Sequence, residues 1–286
     1  MNELISVIVT TYNREDALDA VLRGLAAQTD DHFEVIVADD GSRPKTLEVV
    51  ASRLPQFKRL AHVWQEHKGF RAAEIRNRAI LRSFGEICIF LDGDCIPRPS
   101  FVAVHRRLAE PGWFVAGNRV LLSRQLTERV LRDALEPEKW ALAQWLGCRV
   151  TGGVNRILPL VSLSPLHSWR RRLGGAWRSI RSANLAVRRA DLFAVDGFDA
   201  AFNGWGREDS DLVIRLMRGK VRRKDGRYAT AVLHLWHPGN DRSRLPQNDA
   251  LLKQTLETDR IRATTGLSAL ESELNDQSSH LLAMTE

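Results

Sequence analysis

Along the first third of the chain, short apolar runs rich in Val and Ile alternate with longer segments of helical periodicity. Leu4–Val9, Phe33–Ala38, Leu60–Trp64 and Ile87–Leu91 are short and mainly apolar, interrupted only by Ser6, Glu34 and His62. They predict strands buried on both faces of a parallel sheet. Between them, Arg14–Gln28 predicts a helix with Asn13 as N-cap and Glu15 and Asp16 in its first turn, and Arg71–Ser83 predicts a second. Strand and helix alternating at this spacing build right-handed βαβ units, and hence an open α/β sheet. Such sheets bind ligands beyond the carboxyl ends of their strands. The loops to watch are therefore Thr10–Asn13, Asp39–Ser42 and Asp92–Cys95.

After Val120 the pattern changes. Arg124–Gly147 predicts helix with a break at Pro137. A short strand is expected near Leu185–Val187, a turn at Asp196-Gly197, and a helix over Glu208–Arg218 closed by Gly219. Lys224-Asp225-Gly226-Arg227 has the chemistry of a hairpin turn leading into a strand over Tyr228–Leu235. The last fifty residues are polar and largely helical in pattern, ending in a frayed tail.

Composition narrows the class. A chain of 286 residues with 44% hydrophobic and 27% charged positions can bury a large core without disulfides or structural metals, and is neither disordered nor fibrous. The net charge of +7 is local: Lys139 to Ala190 holds ten basic residues and no acidic one. Cys88, Cys95 and Cys148 fit no CxxC pattern, and in any pairing one is left over, which points to a reducing compartment. Met1–Thr10 carries Glu3 in place of a basic leader and is too short for a signal peptide, and no run is long enough to span a membrane. A cytoplasmic protein is expected, with the inner membrane face as a contact.

Four sequences carry candidate chemistry. In Leu91-Asp92-Gly93-Asp94, two carboxylates flank a glycine at a strand end, where they can share a divalent cation with ligand phosphates; Asp-Gly is also a common turn pair. Asp39-Asp40-Gly41-Ser42 places two more carboxylates on the same sheet edge. A carboxylate is an acceptor suited to the ring N–H of a uracil or to ribose hydroxyls, and one of the pair is expected to serve as a cap or Asx-turn instead. Gly204-Trp205-Gly206-Arg207-Glu208-Asp209-Ser210-Asp211 brackets an aromatic face with glycines and follows it with acids. First-turn acids complement the helix dipole, whereas the bracketed Trp suits stacking on a sugar ring. His234-Leu235-Trp236-His237-Pro238 offers two imidazoles as cation ligands.

Together VIVTTYNR, VADDGS, GFRAAEIRN, FLDGDCIP, ANLAVRR, GFDAAFNGWGREDSDL and HLWHP, in that order from Ile5 to His237, resemble the family-two inverting nucleotide-sugar glycosyltransferases. The second half looks like the galactosyltransferase-type module of β-1,4-galactosyltransferases and bacterial chondroitin-type polymerases. The resemblance implies a GT-A fold, a Rossmann-like mixed central sheet flanked by helices, with a C-terminal acceptor-binding portion and a helical tail. It divides the chain into a nucleotide-sugar-binding half at 1–120, an acceptor and catalytic half at 121–240 with the basic insert 139–190, and a tail at 241–286.

Carried over position by position, Thr10 and Tyr12 border the nucleotide base, Asp39 and Asp40 hold uracil and neighbouring groups, and Arg71, Arg76 and Asn77 lie near the nucleotide. Asp92 faces the ribose across Gly93, and Asp94 ligates Mn²⁺ or Mg²⁺ with one of His234 and His237, the latter preferred. Asp209 is the base, with Trp205, Gly206, Arg207 and Glu208 lining the sugar and acceptor pocket. The implied reaction is inverting transfer of a hexose or N-acetylhexosamine from a UDP-sugar to a hydroxyl of a surface-glycan or glycolipid acceptor (lipopolysaccharide core, capsule or lipid-linked). Two departures leave donor and acceptor open: the galactosyltransferase motif has Gly where this chain has Arg207, and a third acid where it has Ser210.

Two other classes compete. A nucleic-acid or polyanion-binding protein would use the Arg and Trp residues of 165–189, but leaves the acids at three strand ends unexplained, so no nucleic-acid partner is expected. A non-catalytic sugar-binding protein of the same fold would tolerate loss of Asp94 or Asp209.

Overall fold

The computed structural model describes residues 3–161, 169–172 and 177–272. Its strands are β1 (Ile5–Thr11), β2 (Phe33–Asp39), β3 (Leu60–Trp64), β4 (Ile87–Asp92), β5 (Cys95–Pro97), β6 (Trp113–Ala116), β7 (Arg119–Leu121), β8 (Asn184–Arg188), β9 (Arg222–Asp225) and β10 (Val232–His234). Its helices are α1 (Glu15–Ala26), α2 (Pro44–Arg53), α3 (Ala72–Arg82), α4 (Phe101–Leu108), α5 (Arg124–Arg132), α6 (Leu142–Val150), α7 (Trp169–Arg172), α8 (Arg189–Ala194), α9 (Glu208–Arg218) and α10 (Leu245–Glu257).

The main sheet runs β3-β2-β1-β4-β8-β6-β9. Its first four strands are parallel, and the antiparallel β8 joins them to the β6–β9 pair, so the sheet is mixed and draws strands from both halves of the chain. Alternation along the strands feeds two cores. Val7, Val9, Val35, Ile89 and Leu91 pack with α1 on one face, whereas Ile8, Ile36, Cys88 and Phe90 pack with α3 and α9 on the other. That two-sided burial is why β1, β2 and β4 are largely apolar, whereas β3, at the sheet edge, is half-exposed and not buried on both faces as expected. A second, small sheet, β5-β10-β7, lies where the carboxyl end of β4 turns outward.

The four early strands, the short strand β8, and the helix Glu208–Arg218 stand where periodicity puts them. Three further expectations need correction. Asn13 is not the N-cap of α1: with φ at 46° it turns its amide oxygen to the Arg43 N–H at 3.0 Å, and Asp16 accepts the Ala17 N–H instead. The helix expected over Arg124–Gly147 does break at Pro137, but the break is wider than expected, over residues 133–141, and the helix resumes as α6, to Val150. The turn at Lys224–Arg227 forms, with Asp225 accepting the Arg227 N–H, yet no hairpin follows. β9 pairs parallel with β6 while β10 joins the small sheet, and Gly226 fits against the Ala116 carbonyl where a Cβ would come within 3.0 Å. The turn redirects the chain from one sheet to the other.

Of the tail, α10 and helical residues 267–272 are described; 273–286 lie outside the described residues, as do Pro165, His167 and the Gly174-Gly175 pair of the basic insert. Part of the charge in that insert is taken up by internal contacts. Arg170 is fully buried and donates to the carbonyls of Asp225 and Arg227, and Arg171 pairs with Glu110 at 2.9 Å. Among the described residues no helix is long and apolar enough to cross a membrane.

One buried histidine fastens the sheets together. His105 of α4 meets the Asn184 side chain at 3.0 Å, and Asn184 in turn donates to the carbonyls of Asn118 and Thr230. Burial pushes the His105 pKa down to about 4. The unfolded chain, with an ordinary value near 6.5, therefore takes up this proton first as pH falls, and folded stability present above pH 6.5 is lost toward pH 4. Between pH 7 and pH 5 the wild type should lose roughly 2 kcal/mol more stability than His105→Gln, read from urea midpoints. Equal losses in the two proteins would discount the histidine.

Candidate active site

β1, β2 and β4 end together, and their register fixes what stands side by side: Thr10 is opposite Asp92 on one neighbour and Ala38 on the other. The chain then turns sharply at Gly93, whose N–H donates to the Thr10 carbonyl at 2.8 Å; a Cβ there would stand 3.0 Å from that same oxygen. A side chain between the two aspartates would press on that carbonyl and on Thr11. Glycine lets Asp94 project past the sheet edge while Asp92 stays on it.

β10 brings the histidines to Asp94. His234 is the cross-strand partner of Cys95, and the Leu235 N–H donates to the Asp94 carbonyl at 2.8 Å. His237 Nε2 lies 3.3 Å and His234 Nε2 3.7 Å from the Asp94 carboxylate, and the three donor atoms fall within 4.8 Å of one another. The second nitrogen of His237, Nδ1, lies 2.7 Å from the Pro238 carbonyl, which can only accept. Nδ1 therefore donates to that carbonyl, which turns Nε2 toward the Asp94 carboxylate. One carboxylate with two imidazoles at this spacing is a donor set suited to a divalent transition-metal ion. Burial also holds His234 below its ordinary pKa against the opposing pull of Asp94, favouring the neutral imidazole. Both histidines, not one, face Asp94.

Across the cleft, α9 begins at Glu208 after a loop in which Gly204, Gly206 and Arg207 all have positive φ. Asn248 of α10 straps this loop by donating to the Gly206 carbonyl at 2.9 Å, and Arg207 pairs with Asp249 at 2.5 Å. A φ of 83° at Arg207 lies in the region that favours glycine, the residue of the galactosyltransferase motif, and the Arg side chain adds an ion pair to α10. Trp205 lies under the Arg242 guanidinium, 4.8 Å from its ring centre.

A buried arginine joins the two sides. Arg76 of α3 donates to Thr10 Oγ1 at 3.1 Å, to Glu208 at 3.1 Å and to Asp92 at 3.3 Å. Burial raises the pKa of both carboxyls; Arg76 opposes the shift at each, whereas Asp94 adds to it at Asp92 and Asp209 adds to it at Glu208. Glu208 Oε2 is buried with no partner among the described residues. Asp209 beside it accepts from Ser210 Oγ at 3.3 Å.

These groups line one cavity of about 760 Å³, which also takes in Thr10, Tyr12, Asp40, Gly93, Trp205, Gly206, Arg207 and Asp209. Three sequence candidates stand outside its lining. Asp39 is buried, accepting from the Ser42 N–H and meeting His62, and so builds the loop rather than the cleft. Asn77 clamps both backbone groups of Phe198. The Arg71 guanidinium turns to Glu74 and the Glu66 carbonyl, and only its backbone N–H meets Asp40, at 2.7 Å. Conversely, sequence reasoning missed His67, whose ring stacks on Tyr12 at 4.4 Å beside Asp40, and Arg119, Arg181 and Arg242 of the lining. Separations of tens of residues left no local signal for these.

Residues 6–152 match the model of the family described as glycosyl transferase family 2. The chain belongs to that family. Residues 167–237 of this family-2 protein match a second model, described as the N-terminal domain of galactosyltransferase. Validoxylamine A glucosyltransferase of Streptomyces hygroscopicus subsp. limoneus is 31% identical over 226 residues, covering 74% of this chain and 48% of that protein. Chondroitin synthase of Escherichia coli is 26% identical over 227 residues, covering 75% of this chain and 32% of its own. The chain thus spans about half of the first relative and a third of the second. S. aureus TarS 1-349 in complex with UDP superposes with a TM-score of 0.59 at 17% identity, over 93% of this chain and 68% of that one. The family-2 chain has the expected GT-A architecture.

The Arg76 bridge predicts a stability effect. Arg76→Met leaves two carboxylates without their shared buried cation and should cost about 3 kcal/mol in urea unfolding at pH 7, with Arg76→Lys losing less. A loss below about 1 kcal/mol for Arg76→Met, the range of an exposed pair, would show that the bridge carries little.

Proposed function

We propose that the protein is an inverting glycosyltransferase that moves a hexose or N-acetylhexosamine from a UDP-sugar to a hydroxyl of a glycan or glycolipid acceptor, as in surface-polysaccharide assembly. The observation that carries this reading is the convergence, on one cleft, of Asp92 and Asp94 from the sheet edge, His234 and His237 from β10, and Glu208 and Asp209 from α9. Acids and imidazoles gathered from three distant segments suit a polyanionic ligand held through a cation, with a carboxylate across from it.

In this reading the Tyr12–His67 stack and Asp40 receive the uracil, whose ring N–H meets an acceptor, and Asp92 with Arg76 faces the ribose. Asp94, His234 and His237 would hold Mn²⁺ or Mg²⁺, which supplies positive charge to the departing diphosphate. The bond from the anomeric carbon to the phosphate oxygen breaks as the acceptor oxygen attacks from the opposite face. Asp209 takes the acceptor hydroxyl proton, and one base with one direct displacement inverts the anomeric centre. Trp205 gives a sugar ring an apolar face, and the unpartnered Glu208 oxygen is positioned to accept from a sugar hydroxyl.

UDP release measured with UDP-Gal, UDP-GalNAc, UDP-Glc, UDP-GlcNAc and GDP-mannose identifies the donor. With the preferred donor, Asp209→Asn should lower transfer by about 10²–10⁴-fold while UDP still raises the melting temperature in Mn²⁺. Loss of UDP protection as well would make Asp209 a structural cap. Chelator or Asp94→Ala should remove both UDP protection and turnover, and equal protection by UDP in chelator would contradict the metal assignment.

A further inference from the structure

The helix α6 has two apolar faces, and only one of them belongs to the core. Trp145 is buried against Trp140, with ring centres 5.1 Å apart, and Cys148 packs beside it. On the far side, Leu142, Leu146 and Val150 recur at a spacing of four, which stacks them on one helical face. They are 48%, 48% and 87% exposed. Ala143 and Gly147 on the same arc are exposed too, and Arg149 flanks it. Nothing in the fold requires aliphatic residues there, because the inner face alone seats the helix. Leu158, 61% exposed, continues the apolar character after the following turn.

From residue 140 to 161 the chain carries Arg149 and Arg156, both exposed, and no acid, while Lys139 ahead of the helix pairs with Glu136 at 2.6 Å. An aliphatic stripe edged by cations is the pattern of a helix lying in the interface of a bilayer with anionic headgroups. The stripe is one helix wide, whereas a stable dimer buries about 800 Å² on each partner. The chain leaving α6 also runs directly beside the cleft wall. Val154 bridges to Leu122, Asn155 binds both backbone groups of Leu121, and Arg156 donates to the Arg119 carbonyl, while Arg119 and Leu121 line the cavity.

The geometry points to α6 as a peripheral membrane-docking element that seats the Leu142–Leu146–Val150 face on an anionic bilayer, beside the cleft. This stands independently of the transfer reaction above. Flotation of the full chain with vesicles of phosphatidylglycerol and phosphatidylethanolamine tests it, with pure phosphatidylcholine vesicles as reference. The protein should float with the anionic vesicles at least tenfold more than with the neutral ones. The triple variant Leu142→Gln, Leu146→Gln, Val150→Gln should lose at least tenfold of that binding at an unchanged melting temperature, with Leu146→Asp alone giving a smaller loss. Absence of flotation, undiminished flotation of the triple variant, or a dimer in sedimentation that the triple variant dissociates would overturn the proposal, the last by assigning the face to a second copy of the chain.

Discussion

A single buried guanidinium sets the terms for the cleft. Arg76 reaches Thr10 on β1 and Asp92 on β4, which are neighbours in the sheet, and joins both to Glu208 at the start of α9. Carboxylates drawn together out of water repel, and burial alone drives them toward the neutral form. A cation fixed between them by five donors in a rigid fork offsets both effects and sets the spacing across the cleft. Because Arg76 is held by α3, which packs on the sheet through Ile75, Ala79 and Ile80, the geometry of an electrostatic site rests on an apolar helix face.

Around that bridge, adjacent residues of the same type divide their duties by which way the backbone points them. Asp39 ends β2 and turns inward to hold its own loop, whereas Asp40 lines the cleft. Asp209 faces the cavity from the first turn of α9, while Asp211 lies on the buried side, where it pairs with Arg215 and accepts from Thr255 and Arg260. The same distribution appears among the arginines. Arg170, from the basic insert, is fully buried on carbonyls, and Arg207 is tied to α10. Charge in the sequence is therefore a poor guide to charge at the surface, and the acid-free insert spends part of its excess inside the molecule.

The glycine-bracketed Trp205 loop shows how a flexible sequence becomes a defined wall. Gly204 and Gly206 permit the turns, but the carbonyls they leave free are gathered by Asn248, and α10 closes over the loop through Asp249. The elements carrying the candidate base and the sugar platform are thus held from outside the sheet, while the candidate nucleotide and metal groups are held at its edge.

The sequence by itself determined the βαβ order of the first third, the burial of β1, β2 and β4 on both faces, the helix beginning at Glu208, and the motifs that the family carries, because hydrophobic period and local turn chemistry act over a few residues. It also determined that Gly93 separates two carboxylates at a strand end. What only the tertiary structure decided is which acid of each pair enters the cleft, that both His234 and His237 face Asp94, that Asn77 and Asp39 serve the scaffold, and that the Asp225-Gly226 turn changes sheets instead of closing a hairpin. Each of these depends on a partner tens to hundreds of residues away, such as β6 for β9 or Phe198 for Asn77. Local preference is indifferent among such outcomes; packing and the cost of leaving a buried polar group unpaired select one.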